Sequence, residues 1–183
     1  TTTAILATPQ PARHPQPTVR AQALAHLIFE RPDLKQAERF LGDFGLQTAQ
    51  HDAATLYMRG TGSAPYCYRI HHAKRSRFLG FGLALASRDD LERIAALPGA
   101  SGIEPLEGPG GGERVRLTDP SGFLLEAIHG QQAAEAMTHR APLPLNLVDE
   151  TPRINATQRP PIAPPEVIKL GHVVLEVADY QAT

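Results

Sequence analysis

Between residues 23 and 129 the apolar and polar positions trace one unit twice. In Ala23–Glu30, Leu24, His26 and Ile28 share one face at period two, while Leu27 and Phe29 take the other, the pattern of a strand. Pro32-Asp33 ends it. Asp33 suits a helix N-cap, with Gln36 three residues on. The helix that follows is predicted to present Leu34, Ala37, Phe40, Leu41 and Phe44 on one side, and Gly45 to stop it. Short strands are then expected near Leu46–Gln50, Thr55–Arg59 and Pro65–His71.

After a basic loop, His72-Ala73-Lys74-Arg75-Ser76-Arg77, the order recurs. Phe78–Ala86 reads as a strand. Ser87 caps a helix with Asp90 three residues on; Leu91, Ile94 and Ala95 form its apolar side and Pro98-Gly99 closes it. Strands near Ile103–Leu106, Glu113–Thr118 and Phe123–His129 complete the second β-α-β-β-β unit. Asp119-Pro120-Ser121-Gly122 has the proline and glycine placement of a type I turn. The fold class is therefore α+β. The organisation expected is an N-terminal arm over 1–20, a module over 21–130, a Pro-rich linker over 131–168, and the first strand of a further module over 169–183. Within the linker, Gln131–Thr138 is compatible with a short helix.

That last strand repeats the first. Leu170, His172, Glu176 and Asp179 each lie 146 residues after Leu24, His26, Glu30 and Asp33, with apolar residues between the His and the Glu in both copies.

Composition narrows the function classes. The chain has 183 residues, 42% of them hydrophobic and 20% charged, as in ordinary globular proteins. A net charge of −1 gives no electrostatic reason to expect nucleic acid as a partner. Cys67 is the single cysteine, which excludes an intrachain disulfide and a Cys-rich zinc site. It lies between Tyr66 and Tyr68, and nothing nearby would lower its pKa. No run approaches the length of a membrane span, so no membrane partner is expected and a cytoplasmic location is the default.

Two polar residues fall where the pattern predicts an apolar face. His26 lies between Leu24 and Ile28, and Glu126 between Leu124 and Ile128. A carboxylate turned inward must be paired, protonated or bound to a metal. The pair reads either as metal ligands or as a buried His–Glu hydrogen bond, on strands that could meet across a curved sheet. His172, flanked by Leu170 and Val174, has the same surroundings. Gly108-Pro109-Gly110-Gly111-Gly112 resembles a phosphate-binding loop but leads into a strand and reads as a turn. His71-His72 with Lys74, Arg75 and Arg77 reads as a solvated loop, with anion contact as the alternative.

Taken together, the paired units, the opening Leu24-Ala25-His26, the closing Asp119-Pro120-Ser121-Gly122-Phe123-Leu124-Leu125-Glu126 and the restart Leu170-Gly171-His172-Val173-Val174 resemble the vicinal oxygen chelate superfamily. Glyoxalase I, bleomycin-resistance proteins and type I extradiol dioxygenases are its members. Phe78-Leu79-Gly80-Phe81-Gly82, Ile128-His129-Gly130 and the connector residues Asn146, Arg153, Asn155 and Arg159 look most like two-module extradiol (catechol-type) dioxygenases. The resemblance implies a curved mixed sheet of paired β-α-β-β-β units. It also implies a non-haem Fe(II), with Mn(II) as the alternative, held by two His and one Glu in the second module. That metal would chelate a small aromatic diol beside O₂ so that the ring opens next to the diol.

By the same resemblance His172 matches the first metal ligand. His26 and Glu126 occupy the outer two ligand positions of the first module as a vestigial pair, with the middle position near Gly80. The remaining ligands and the acid/base residues are expected beyond residue 183, leaving this piece inactive by itself. Association into a homo-oligomer is expected. A glyoxalase-type lyase or isomerase using His26 and Glu126, or a metal-free ligand-binding protein, are the alternative readings.

Overall fold

The computed structural model describes residues 15–142, 144–153 and 163–179. Thr1–His14, Asn155, Arg159 and Tyr180–Thr183 lie outside the described residues. Eight strands and two helices follow the expected order: β1 (Ala23–Arg31), α1 (Leu34–Asp43), β2 (Gln47–His51), β3 (Thr55–Arg59), β4 (Tyr68–His72), β5 (Arg77–Ala84), α2 (Arg88–Ala95), β6 (Glu104–Pro105), β7 (Glu113–Thr118) and β8 (Leu124–His129). They form one curled mixed sheet in the order β2-β3-β4-β1-β5-β8-β7-β6. β1 and β5 run antiparallel at its centre, and each has a parallel neighbour outside it, β4 and β8.

Local chemistry explains the element ends. Asp33 caps α1, its carboxylate accepting from the Gln36 amide at 2.9 Å, and Ser87 caps α2 through Asp90 in the same way. Gly45, at φ 96°, lets the chain leave α1 while the Leu46 amide bonds back to Leu41. At the Asp119–Gly122 turn the Gly122 amide reaches Asp119 O at 2.9 Å, and the Asp119 carboxylate accepts from Phe123.

Alternation divides the sheet into two faces. The outer face packs on the helices in two clusters. Leu34, Leu46, Leu56, Met58, Cys67 and Ile70 gather under α1; Leu85, Leu91, Val115 and Ala127 gather under α2, with Val19 from the N-terminal arm against them. The α1 face splits, contrary to expectation. Leu34, Ala37 and Leu41 join the core, but Phe40 and Phe44 remain 59% exposed, their rings tilted against each other with centroids 5.1 Å apart. A ten-residue helix at the edge of a curved sheet buries a narrower stripe than five apolar positions span.

Two expectations about the later chain are corrected. Gln131–Thr138 is extended, not helical. The amides of Gln132, Ala134 and Met137 donate to Gly110, Ser63 and Thr61, and Arg59 reaches Glu135 O at 2.7 Å. Loop carbonyls thus take the donors a helix would use internally, and tertiary contact overrides a helix-prone run. The expected strand at Leu170–Tyr180 is not formed among the described residues. Instead the chain docks just before it. Thr61 and Gly62 donate to Val167 O and Ile168 O at 2.8 and 3.0 Å, and Val167 and Leu170 pack against the first cluster. Among the described residues no neighbouring strand receives the backbone groups beyond Leu170, so no ladder forms there.

Candidate functional site

The inner face of the sheet holds a charged centre. His26 on β1 and Glu126 on β8 are both fully buried, with imidazole Nε2 3.0 Å from Glu126 Oε2. Between their strands runs β5, and the residue in register with both is Gly82. The residue that stands between His26 and Glu126 in the sheet is thus Gly82, two positions beyond the Gly80 near which the resemblance set the middle position. Gly80 pairs with Ile28 and Leu124, where a Cβ would stand 1.8 Å from Leu124 O. At Gly82 a Cβ would stand 2.4 Å from Cε1 of His26, so the imidazole lies flat over that backbone.

Two arginines that the sequence reading left out complete the centre. Arg69, on β4, donates from Nη2 to Glu126 Oε1 at 2.6 Å with its side chain only 4% exposed. Arg114, on β7, donates to the same oxygen at 2.9 Å and lies 3.6 Å from Glu104. Alternation does place Arg69 and Arg114 opposite apolar Ile70 and Val115. In an open strand that reads as a solvated face; sheet curvature turns it inward.

Burial alone would raise the Glu126 carboxyl, but the His26 hydrogen bond and the Arg69 charge outweigh it and hold the group at about 2. Burial lowers the His26 pKa, against the raising effect of the Glu126 bond, so the ring is neutral. An ionised carboxylate only accepts, so Nε2 carries the proton, and Nδ1 is buried without a hydrogen-bond partner. Tyr66 covers the imidazole at a ring distance of 4.9 Å and Tyr57 packs edge-on against Tyr66 at 5.0 Å. The 108–112 glycine loop lies over Tyr57: a Cβ at Gly108 would stand 2.6 Å from that ring.

This centre does not fit a metal ion. Among the described residues no group of three or more His, Cys, Asp or Glu side chains converges. The Glu126 oxygens are already taken by three donors, two of them cationic. His26 also lacks the outer hydrogen bond that orients a ligating imidazole. The pair is a hydrogen-bonded unit neutralised by arginine.

The remaining candidates are scattered. His172 is exposed, beside a groove of about 330 Å³ lined by Phe40, Phe44, Val167 and Leu170 among others. Cys67 is buried, and burial pushes its thiol up to about 11. Arg77 of the basic loop pairs with Glu30, and His71 is half-buried on the inner face. No helix is long and apolar enough to cross a membrane among the described residues.

No protein-family model matches the sequence, and no curated protein matches it. Solved structures do resemble it. The Mn(II)-bound glyoxalase from Novosphingobium aromaticivorans superposes with a TM-score of 0.61 at 23% identity, over 67% of this chain and 43% of that one. A variant of homoprotocatechuate 2,3-dioxygenase from Brevibacterium fuscum gives 0.59 at 18% identity, over 70% and 37%. The corresponding enzyme from Arthrobacter globiformis gives 0.56 at 21%, over 66% and 41%. The chain thus spans about two fifths of the length of the structures it matches.

Proposed function

On the premise that this chain has the vicinal oxygen chelate fold, we propose that it is the amino-terminal module of an extradiol ring-cleaving dioxygenase. The metal would be carried by a second module that His172 opens. The carrying observation is an asymmetry between two like segments. His26 begins a complete module whose centre is closed by Arg69 and Arg114, while His172 begins a segment of the same pattern with its side chain free in solvent. The likeness to homoprotocatechuate 2,3-dioxygenases, chains more than twice as long as the matched part, supports the same division.

In this reading His172 would be one of the residues holding Fe(II), or Mn(II) in its place, and the metal would supply Lewis-acid and redox chemistry toward a catechol-type diol and O₂. This module supplies a scaffold. Its strap over 131–137 and the bonds at Val167 and Ile168 fix where the chain leaves toward His172. The glyoxalase-type alternative would need His26 and Glu126 as ligands, whereas the imidazole Nε2 donates to Glu126 and the carboxylate also accepts from Arg69 and Arg114. The protein is read as acting in the cytoplasm, as a homo-oligomer.

The test is expression of the full-length gene product and measurement of iron content and catechol cleavage under O₂. We expect His172→Ala to lose both iron and cleavage, and His26→Gln to retain iron per folded chain. Full iron content in the His172→Ala protein would remove this reading.

A further inference from the structure

The inner face poses a problem that ring cleavage elsewhere does not answer. A neutral histidine and an ionised glutamate, both fully buried on strands two apart, are a costly arrangement to retain without a function. The four central strands run β4-β1-β5-β8, so Arg69 and Glu126 stand on the two outer strands, on either side of His26 and Gly82. From there the guanidinium reaches Glu126 at 2.6 Å, closer than either other donor. The Arg69 side chain has no solvent route of its own, and its Nε is buried without a partner. Among the described residues its hydrogen bond is aimed at the carboxylate. Gly82 completes the picture. It withholds a third side chain, and the imidazole settles into the space a third ligand would occupy.

We propose that Arg69 is the resident cation of this module: its guanidinium, on Glu126 Oε1 beside the His26–Glu126 bond, supplies the positive charge that a divalent ion would bring. The chain supplies its own counter-charge, and the module folds without metal. The inference concerns this module's own centre and stands whether or not a second module cleaves a ring. It assigns Arg69 a site of its own, from which a divalent ion is excluded by charge and by occupied carboxylate oxygens.

Arg69→His provides the test. An imidazole is shorter than an arginine side chain, so it leaves room for an ion with bonds of about 2.1 Å to nitrogen and oxygen, and it completes a two-His, one-carboxylate set. Wild type, R69H and the double variant R69H/E126Q are dialysed against Mn(II), Co(II) or Zn(II), with bound metal counted and thermal unfolding recorded. R69H is expected to hold one more ion per chain than wild type. Its midpoint should rise by about 5–10 °C at metal a hundredfold above Kd, and both gains should vanish in R69H/E126Q. A folded R69H chain with no additional ion overturns the proposal, as does an ion held by wild type and lost in Glu126→Gln. Should R69H fail to fold alone, recovery on refolding with metal supports the proposal and failure to recover overturns it.

Discussion

Replacing Glu126 by glutamine removes one charge and almost no volume, which isolates the electrostatic part of the inner centre. In the native module the carboxylate accepts from His26 at 3.0 Å, Arg69 at 2.6 Å and Arg114 at 2.9 Å, with no exposure to water. Glutamine can accept on one atom only, and it leaves a buried guanidinium without a counter-charge. Breaking a buried pair from one side costs about 3–5 kcal/mol. Titration gives a second route to the magnitude. A carboxyl held at about 2 against an ordinary 4.5 contributes about 3 kcal/mol.

The sign follows from the lowered value. The contribution is complete above pH 4.5 and is lost as pH falls toward 2. His26 adds to the acid limb from higher pH, because its folded pKa is lowered. Below 6.5 the unfolded chain takes a proton that the folded one refuses. Urea unfolding at pH 7 should therefore show E126Q less stable by about 3 kcal/mol, a large part of the total for a module this size. Between pH 5 and pH 2 wild type should lose this advantage while E126Q follows a flatter limb. An E126Q midpoint within about 1 kcal/mol of wild type at pH 7, or an unchanged acid limb, would refute the reasoning.

Other outcomes follow from single contacts. Gly80→Ala places a Cβ against the Leu124 carbonyl at 1.8 Å, backbone that cannot yield, whereas Gly82→Ala meets the movable His26 ring. Both should destabilise by at least about 1–3 kcal/mol, with Gly80→Ala the worse by thermal unfolding. Asp33→Ala removes the α1 cap and should cost about 1 kcal/mol in denaturant titration. Gly60→Ala forces a Cβ to 2.4 Å from Ile168 O, so the docked segment should detach and residues around 163–170 become cleavable in limited proteolysis. The Cys67 thiol, 1% exposed, should react with a disulfide reagent at pH 8 only after denaturant is added.

The sequence carries the order of elements because local chemistry writes it: Asp33, Ser87 and Gly45 mark helix ends, and period-two alternation marks strands. Strand limits shift by up to three residues, as where β4 begins at Tyr68 and not at Pro65. His26 and Glu126 were legible because each interrupts an apolar face. Arg69 and Arg114 were not, since an arginine alternating with apolar residues looks the same on a solvated face as on the inside of a curve. That Gly82 stands between His26 and Glu126 was not legible, because cross-strand register depends on bulges that a count along the chain misses. The path of the linker depended on partners far away in sequence, Gly110, Ser63 and Gly45 among them, which no local pattern encodes.

An open sheet of eight strands ends in two rims, and rims are where β-proteins recruit one another into fibres. Here one rim is β6, two residues long and ending in Pro105, which has no amide to offer. The other is β2, whose Gln47-Thr48-Ala49-Gln50-His51 has no large apolar side chain and carries a register shift against β3. Neither rim can template a long flat ladder with a neighbour. Strand-to-strand pairing through either rim is thereby disfavoured.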